Sequence, residues 1–199
     1  ALTTNLTAFF RESHHFPLLA EHIRHKQDPV TIWCSAASTG EEPYSIAMTL
    51  LETLGAKASQ AKVIATDIDT DALAKARKGI YPQEQVRKLD EARVKRFFQK
   101  GTGNHIGLAR VRPEVSALVE FMPLNLLAPQ WPIKGPFDAI FCRNVMIYFD
   151  KETQAKILKR FAPLMKQDGL LFAGHSENFS YISDAFKLRG QTVYTLANK

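Results

Sequence analysis

Apolar residues follow two rhythms along this chain: short continuous runs that suit buried strands, and longer stretches recurring every three or four positions that suit amphipathic helices. Thr3 to Lys26 carries Phe9, Phe10, Phe16, Leu18, Leu19 and Ile23 at helical spacing, and Pro17 divides it into two short helices. Val30 to Cys34 reads as a strand. Small residues follow to Gly40, and a helix begins at Glu41-Glu42-Pro43, runs to Leu54 and stops at Gly55. Lys62 to Ala65 is a second strand ending in Thr66-Asp67-Ile68-Asp69, with Asp69 and Asp71 as caps of a helix over Asp71 to Lys78. Gly79 to Pro82 ends that helix, and Leu89 to Phe98 forms another.

The pattern then changes. Gly101, Gly103 and Gly107 punctuate a polar loop, and two strand-like pieces, Gly107 to Val111 and Leu118 to Phe121, are joined by Arg112-Pro113-Glu114-Val115. This predicts an inserted hairpin sheet over about 100 to 121, whose edge could accept a peptide strand; a loop-rich insertion is the plainer alternative. Phe137 to Tyr148 is a long apolar run broken by Asp138 and by Arg143-Asn144, followed by a helix Lys151 to Lys166, Gly169, a strand Leu170 to Ala173 and a polar turn Gly174 to Asn178. Phe186 to Leu188 and Thr192 to Leu196 read as a terminal hairpin. Five such alternations predict an α/β domain with a mostly parallel sheet covered on both faces. Its ligand crevice should lie at the carboxyl ends of the strands.

With 199 residues and 45% hydrophobic composition, the chain can bury one core. A net charge of +6 suits an acidic partner, a nucleic acid or plain solubility. Cys34 and Cys142 lie inside apolar runs, as reduced buried thiols do, which suggests a cytosolic protein with neither a disulfide framework nor a metal site. No run is long enough to span a membrane, and no signal segment opens the chain; the start at Ala1 suggests processing or trimming.

Candidate chemistry collects at the strand ends. Ser38, Thr39 and Gly40 let a ligand approach the backbone. An acidic residue ending the second strand can accept hydrogen bonds from two ribose hydroxyls, and Asp67 stands there, 27 residues after Gly40 where about 20 is usual. Arg143 and Asn144 are poor core material, since burying an unpartnered polar group costs on the order of 2 kcal/mol or more. A purely structural reading pairs Arg143 with Asp138 or another carboxylate. Asn5, Thr7 and Arg11 share a face near the first helix, where a cap and a solvated arginine would also explain them. The closing hairpin favours an S-adenosylmethionine methyltransferase over a dehydrogenase, whose sheet continues in parallel. The turn also lacks GxGxxG, and its carboxylates suit a sulfonium and an ammonium better than a pyrophosphate.

Taken in order, NLTAFFRE (5 to 12), SAASTGEEPYSIAM (35 to 48), ATDID (65 to 69), GIYP (79 to 82), NLL (125 to 127), FDAIFCRNVMIYF (137 to 149), DGLLFAGHSE (168 to 177) and VYTL (193 to 196) resemble the CheR family, which esterifies glutamate side chains of bacterial chemotaxis receptors. The resemblance implies a class I S-adenosylmethionine-dependent methyltransferase fold over residues 1–199, with seven strands and an inserted β-subdomain. It also implies that this chain starts after the helical N-terminal domain of the family. Asn5, Thr7 and Arg11 would then close over the methionine end of the cofactor. Glu42 would hold its amino group, Asp67 the ribose hydroxyls, Asn125 and Leu126 the adenine. Arg143 and Asn144 would sit beside the reacting centre with Tyr148 below it.

The reaction implied is direct methyl transfer to a glutamate carboxylate, which is ionised near neutral pH and needs no general base. Arg11, Arg143 and Tyr148 would position it, and His175 reads as structural. Gly101, Gly103, Gly107 and Arg110 would dock a C-terminal receptor pentapeptide; Lys100 stands where arginine is common, keeping the charge but losing the bidentate fork. The implied partner is the cytoplasmic domain of chemoreceptors, with no membrane insertion. Competing readings are a methyltransferase of another substrate such as a small acid or RNA, and a non-catalytic sensing or tether-binding module. No aromatic-interleaved basic stripe supports RNA.

Overall fold

The computed structural model describes residues 7–197. In order the elements are α1 (His15–Ile23), β1 (Thr31–Cys34), α2 (Glu41–Leu54), β2 (Lys62–Asp67), α3 (Thr70–Lys78), β3 (Ile80–Pro82), α4 (Gln83–Val86), α5 (Glu91–Phe97), β4 (Phe98–Lys100), β5 (Leu108–Val111), α6 (Pro113–Ser116), β6 (Val119–Pro123), β7 (Phe137–Cys142), α7 (Lys151–Phe161), β8 (Met165–Ala173), β9 (Phe186–Gly190) and β10 (Val193–Leu196). Seven strands form one sheet in the order β6-β2-β1-β7-β8-β10-β9. The first five run parallel, and β10 is antiparallel to both of its neighbours. Strand order reverses between β1 and β7, so the crevice expected of such sheets falls between their carboxyl ends.

Alternation along the strands explains why both faces are covered. Ile32, Cys34, Ala139, Phe141, Leu170 and Phe172 point to one side, where they meet Phe16, Leu19 and Ile23 of α1 and Ile46 and Leu50 of α2. Trp33, Ile140, Cys142, Leu171 and Ala173 point to the other and meet Ile157, Leu158 and Phe161 of α7. Both cysteines are buried and free.

Several expected boundaries change. Pro17 does not divide two helices: it lies in the first turn of α1, where no backbone N–H is required, and residues 9–14 form turns and bends. Phe10 and Glu12 adopt left-handed backbone there, with φ of 54° and 52°, so the chain doubles back and buries Phe9 and Phe10. The helix expected to Lys166 ends at Phe161, because Pro163 cannot continue it and β8 begins at Met165, pairing with Phe137. Asp69 alone caps α3, accepting from the N–H groups of Asp71 and Ala72.

The inserted sheet also differs from the hairpin expected over 100 to 121. It has three strands in the order β3-β5-β4, drawn from residues 80–111, whereas the piece expected at Leu118 to Phe121 forms β6, the edge strand beside β2. A half-exposed edge strand has the same alternation as a hairpin strand, and only pairing separates them. The small sheet is tied to the turn after β1: the Tyr81 hydroxyl donates to the Thr39 carbonyl at 2.7 Å, and Gln85 Nε2 to Glu41 Oε2 at 3.1 Å.

Gly40, before α2, has φ of 102°, and a Cβ there would lie 2.7 Å from the Tyr81 hydroxyl and 3.0 Å from the Ala76 Cβ. Gly40→Ala therefore combines backbone strain with overpacking, and should lower unfolding stability by about 2–4 kcal/mol in denaturant titration.

Candidate functional site

Burial of Arg143 immediately after β7 organises the crevice. Its guanidinium is almost wholly enclosed, and a cation there requires partners. Nε donates to Glu42 Oε1 at 2.8 Å, and Nη1 donates to the Arg11 carbonyl at 2.7 Å. Glu42 comes from the first turn of α2, so this ion pair bridges the two strand ends at the reversal of strand order. Burial raises the Glu42 pKa above 4.5, and Arg143 opposes that shift. Asp138 is not the partner of Arg143, since its carboxylate is taken by Lys166 at 3.0 Å and by the Thr31 N–H at 2.9 Å.

The crevice encloses about 410 Å³. On one wall, Asp67 ends β2, accepting through Oδ2 from the Ser38 N–H at 2.7 Å and through Oδ1 from the Asp69 N–H at 2.9 Å. Each oxygen keeps a further lone pair for a ligand diol. Ser38, held at φ of 50°, also lines the crevice, and its buried Oγ has no hydrogen-bond partner among the described residues. On the other wall lie Asn144 and the half-exposed Tyr148, and Thr7 and Arg11 complete the lining from the N-terminal segment.

This donor set fits S-adenosylmethionine. Asp67 can take a ribose diol, Glu42 an ammonium, and the orphaned Ser38 hydroxyl a further polar group; a dinucleotide pyrophosphate would meet two carboxylates instead. The bound cofactor would supply a methyl group on a positively charged sulfur.

Thr7, Arg11, Glu42, Asp67, Arg143, Asn144 and Tyr148 all line this one crevice. Asn5 lies outside the described residues. Asn125 and Leu126 do not line the crevice: Leu126 is buried in the core beneath the sheet, and Asn125 Oδ1 accepts from the Leu127 N–H at 2.9 Å. Their segment does pass beside the site, because the Leu124 N–H donates to the Asp67 carbonyl.

Two carboxylates escaped the sequence reading. Glu177 accepts three backbone N–H groups, from Asn144, Met146 and Gly174, each at 2.8 Å, and so fixes the loop that presents Asn144 and Tyr148. Glu12 accepts from the His175 N–H at 2.7 Å, joining the N-terminal segment to the turn after β8. Burial pushes Glu12 up, but His175, Arg143 and His15 outweigh it and its pKa is lowered. Only their place inside HSE and FRE could have signalled either residue.

In the small sheet, a groove of about 230 Å³ is lined by Lys100, Gly101 and Arg110 among others. Gly101 cannot carry a side chain, because a Cβ would lie 2.0 Å from the His105 carbonyl oxygen. Gly103 and Gly107 shape the adjoining loop with φ of 59° and 89° but do not line the groove.

A doubly covered, mostly parallel sheet with an antiparallel terminal pair, and an acidic crevice at its strand reversal, define a class I S-adenosylmethionine-dependent methyltransferase. The family model described as "CheR methyltransferase, SAM binding domain" matches residues 5–195. The chemotaxis protein methyltransferase of Escherichia coli K12 is 62% identical over 197 residues, 99% of this chain and 69% of that protein. That of Klebsiella aerogenes is 63% identical over 199 residues, 100% of this chain and 69% of the relative. Chemotaxis protein methyltransferase 2 of Pseudomonas aeruginosa PAO1 is 56% identical over 200 residues, 99% and 71% of the two chains. The chain belongs to the CheR methyltransferase family.

Only the ionised form of Glu42 could hold an ammonium, so if Glu42 binds the cofactor, affinity should fall as pH drops through its raised pKa, at higher pH than a carboxylate at 4.5 would give. Glu42→Gln should weaken S-adenosylhomocysteine binding by roughly 10–100-fold at pH 7.5 and flatten the decline toward pH 5.5, as read by calorimetry.

Proposed function

We propose that this domain transfers the methyl group of S-adenosylmethionine to glutamate side-chain carboxylates of chemoreceptors in the cytoplasm. The observation that carries this reading is the meeting of Arg143, Arg11 and Tyr148 around one crevice whose acidic wall suits a cationic cofactor. In the transfer, the carboxylate oxygen gains the methyl as the carbon–sulfur bond breaks, leaving a methyl ester and the neutral thioether S-adenosylhomocysteine. A glutamate of ordinary pKa, about 4.3, is already ionised near neutral pH, so no base is needed.

The protein's part is positioning. Arg11 draws the carboxylate into the crevice, and the Tyr148 hydroxyl at its mouth donates to it. Arg143 is already tied to Glu42 and the Arg11 carbonyl, and keeps the floor of the site rigid. His175 has no proton to remove, and its Nδ1 lies 2.8 Å from Glu12 Oε1, consistent with a structural part.

A second reading concerns the small sheet. Its groove beside Lys100, Gly101 and Arg110 combines two cations, a bare backbone and, among the described residues, an unpaired strand edge on β4, features that suit a receptor's C-terminal peptide added as a strand. Among the described residues no helix is long and apolar enough to cross a membrane.

Calorimetric titration with S-adenosylmethionine and S-adenosylhomocysteine should give saturable binding that Asp67→Ala abolishes; a folded protein that binds neither would overturn the methyltransferase reading. With a receptor cytoplasmic fragment as substrate, Tyr148→Phe should reduce kcat for methyl-ester formation about tenfold, with no loss of thermal stability because the side chain is 57% exposed.

A further inference from the structure

The terminal hairpin is linked to the site through His15. Between β9 and β10 the chain turns through Gln191 and Thr192, both left-handed, with φ of 50° and 64°. Glycine or asparagine suits such a turn, whereas a β-branched residue there is strained. The Thr192 hydroxyl has a specific partner. It lies 2.9 Å from Nε2 of His15, which also lies 3.3 Å from the Gln191 carbonyl.

His15 is fully buried at the start of α1, edge-on to Phe172. Its other nitrogen, Nδ1, lies 3.2 Å from Nη1 of Arg143. A guanidinium only donates, so Nδ1 must accept, and the single ring proton must sit on Nε2, pointing at Thr192 and Gln191. Each end of the ring thereby fixes the other. The Thr192 hydroxyl, far along the chain, gives its own proton to the Gln191 carbonyl, so its oxygen is left to accept from the Nε2–H of the tautomer that receives Arg143.

We propose that Thr192 and His15 are positioning residues that orient Arg143 for catalysis, acting through the Nε2–H tautomer of a neutral imidazole. This rests on the methyl-transfer reading given above, in which Arg143, tied to Glu42 and the Arg11 carbonyl, keeps the floor of the site rigid. The charged and titratable groups facing the ring are Arg143, His14 and Glu12. Burial, Arg143 and His14 together lower the His15 pKa to about 4, so the ring stays neutral throughout the working range. The device would explain why strain persists at Thr192: the hydroxyl is worth more to the site than relaxed backbone is to the fold.

Two measurements test it. Nitrogen-15 NMR of the imidazole should show protonated Nε2 and bare Nδ1 from pH 5.5 to 8; an Nδ1–H tautomer, or titration near the ordinary 6.5, would overturn the proposal. Thr192→Gly relieves the strain and removes the hydroxyl together. It should hold or raise Tm while kcat for methyl-ester formation falls about tenfold and KM for cofactor stays within about twofold, and Thr192→Ser should restore kcat. A merely structural turn would instead leave kcat at the wild-type value in Thr192→Gly, and that result also overturns it. Absence of ester formation by wild type would count against the methyl-transfer reading alone, since the tautomer measurement needs no activity.

Discussion

The ion pair between Arg143 and Glu42 is the contact on which the site depends. Each partner is expensive to bury alone, and neither would be tolerated at the reversal of strand order without the other. Their 2.8 Å bond joins the end of β7 to the start of α2, two segments that meet only because β1 and β7 are neighbours in the sheet. The Arg11 carbonyl completes the coordination of Nη1, so the N-terminal segment is drawn over the crevice by the same cation.

Around that pair, carboxylates bind backbone N–H groups more than they bind cations. Glu177 holds three, Asp67 two and Glu12 one, and in each case a loop at a strand end is fixed by charge-assisted hydrogen bonds. Ser38, Asn144 and Thr192 all have positive φ; the first two line the crevice, and Thr192 reaches it through His15 and Arg143. Strain of this kind persists where surrounding bonds determine the conformation.

The same logic links the small sheet to the turn after β1. Tyr81 and Gln85 belong to the inserted unit, yet their side chains end on Thr39 and Glu41. The insertion therefore buttresses the turn that carries Ser38 and Gly40, and the lack of room at Gly40 follows from the same tyrosine.

Much of this was legible in the chain itself. Short apolar runs and helical spacing marked most of the elements, and the small-residue turn before Glu42, the acid ending β2 and the polar pair ending an apolar strand marked the crevice. Those signals are local: an apolar run must be buried, and a charge at its end must be answered. Pairing partners were not legible. Nothing in Leu118 to Phe121 says that it lies beside β2 rather than beside β5, because an edge strand and a hairpin strand share one alternation. Nor could spacing show that Leu126 faces the core, or that Arg143 chooses Glu42 over Asp138 when Asp138 stands five residues away. Glu12, Glu177 and the His15–Thr192 contact emerge only when distant segments meet. Hydrophobic period and residue type set the elements and the chemistry available; which charges face one another was decided by tertiary packing, because electrostatic partners are selected by distance in space and not along the chain.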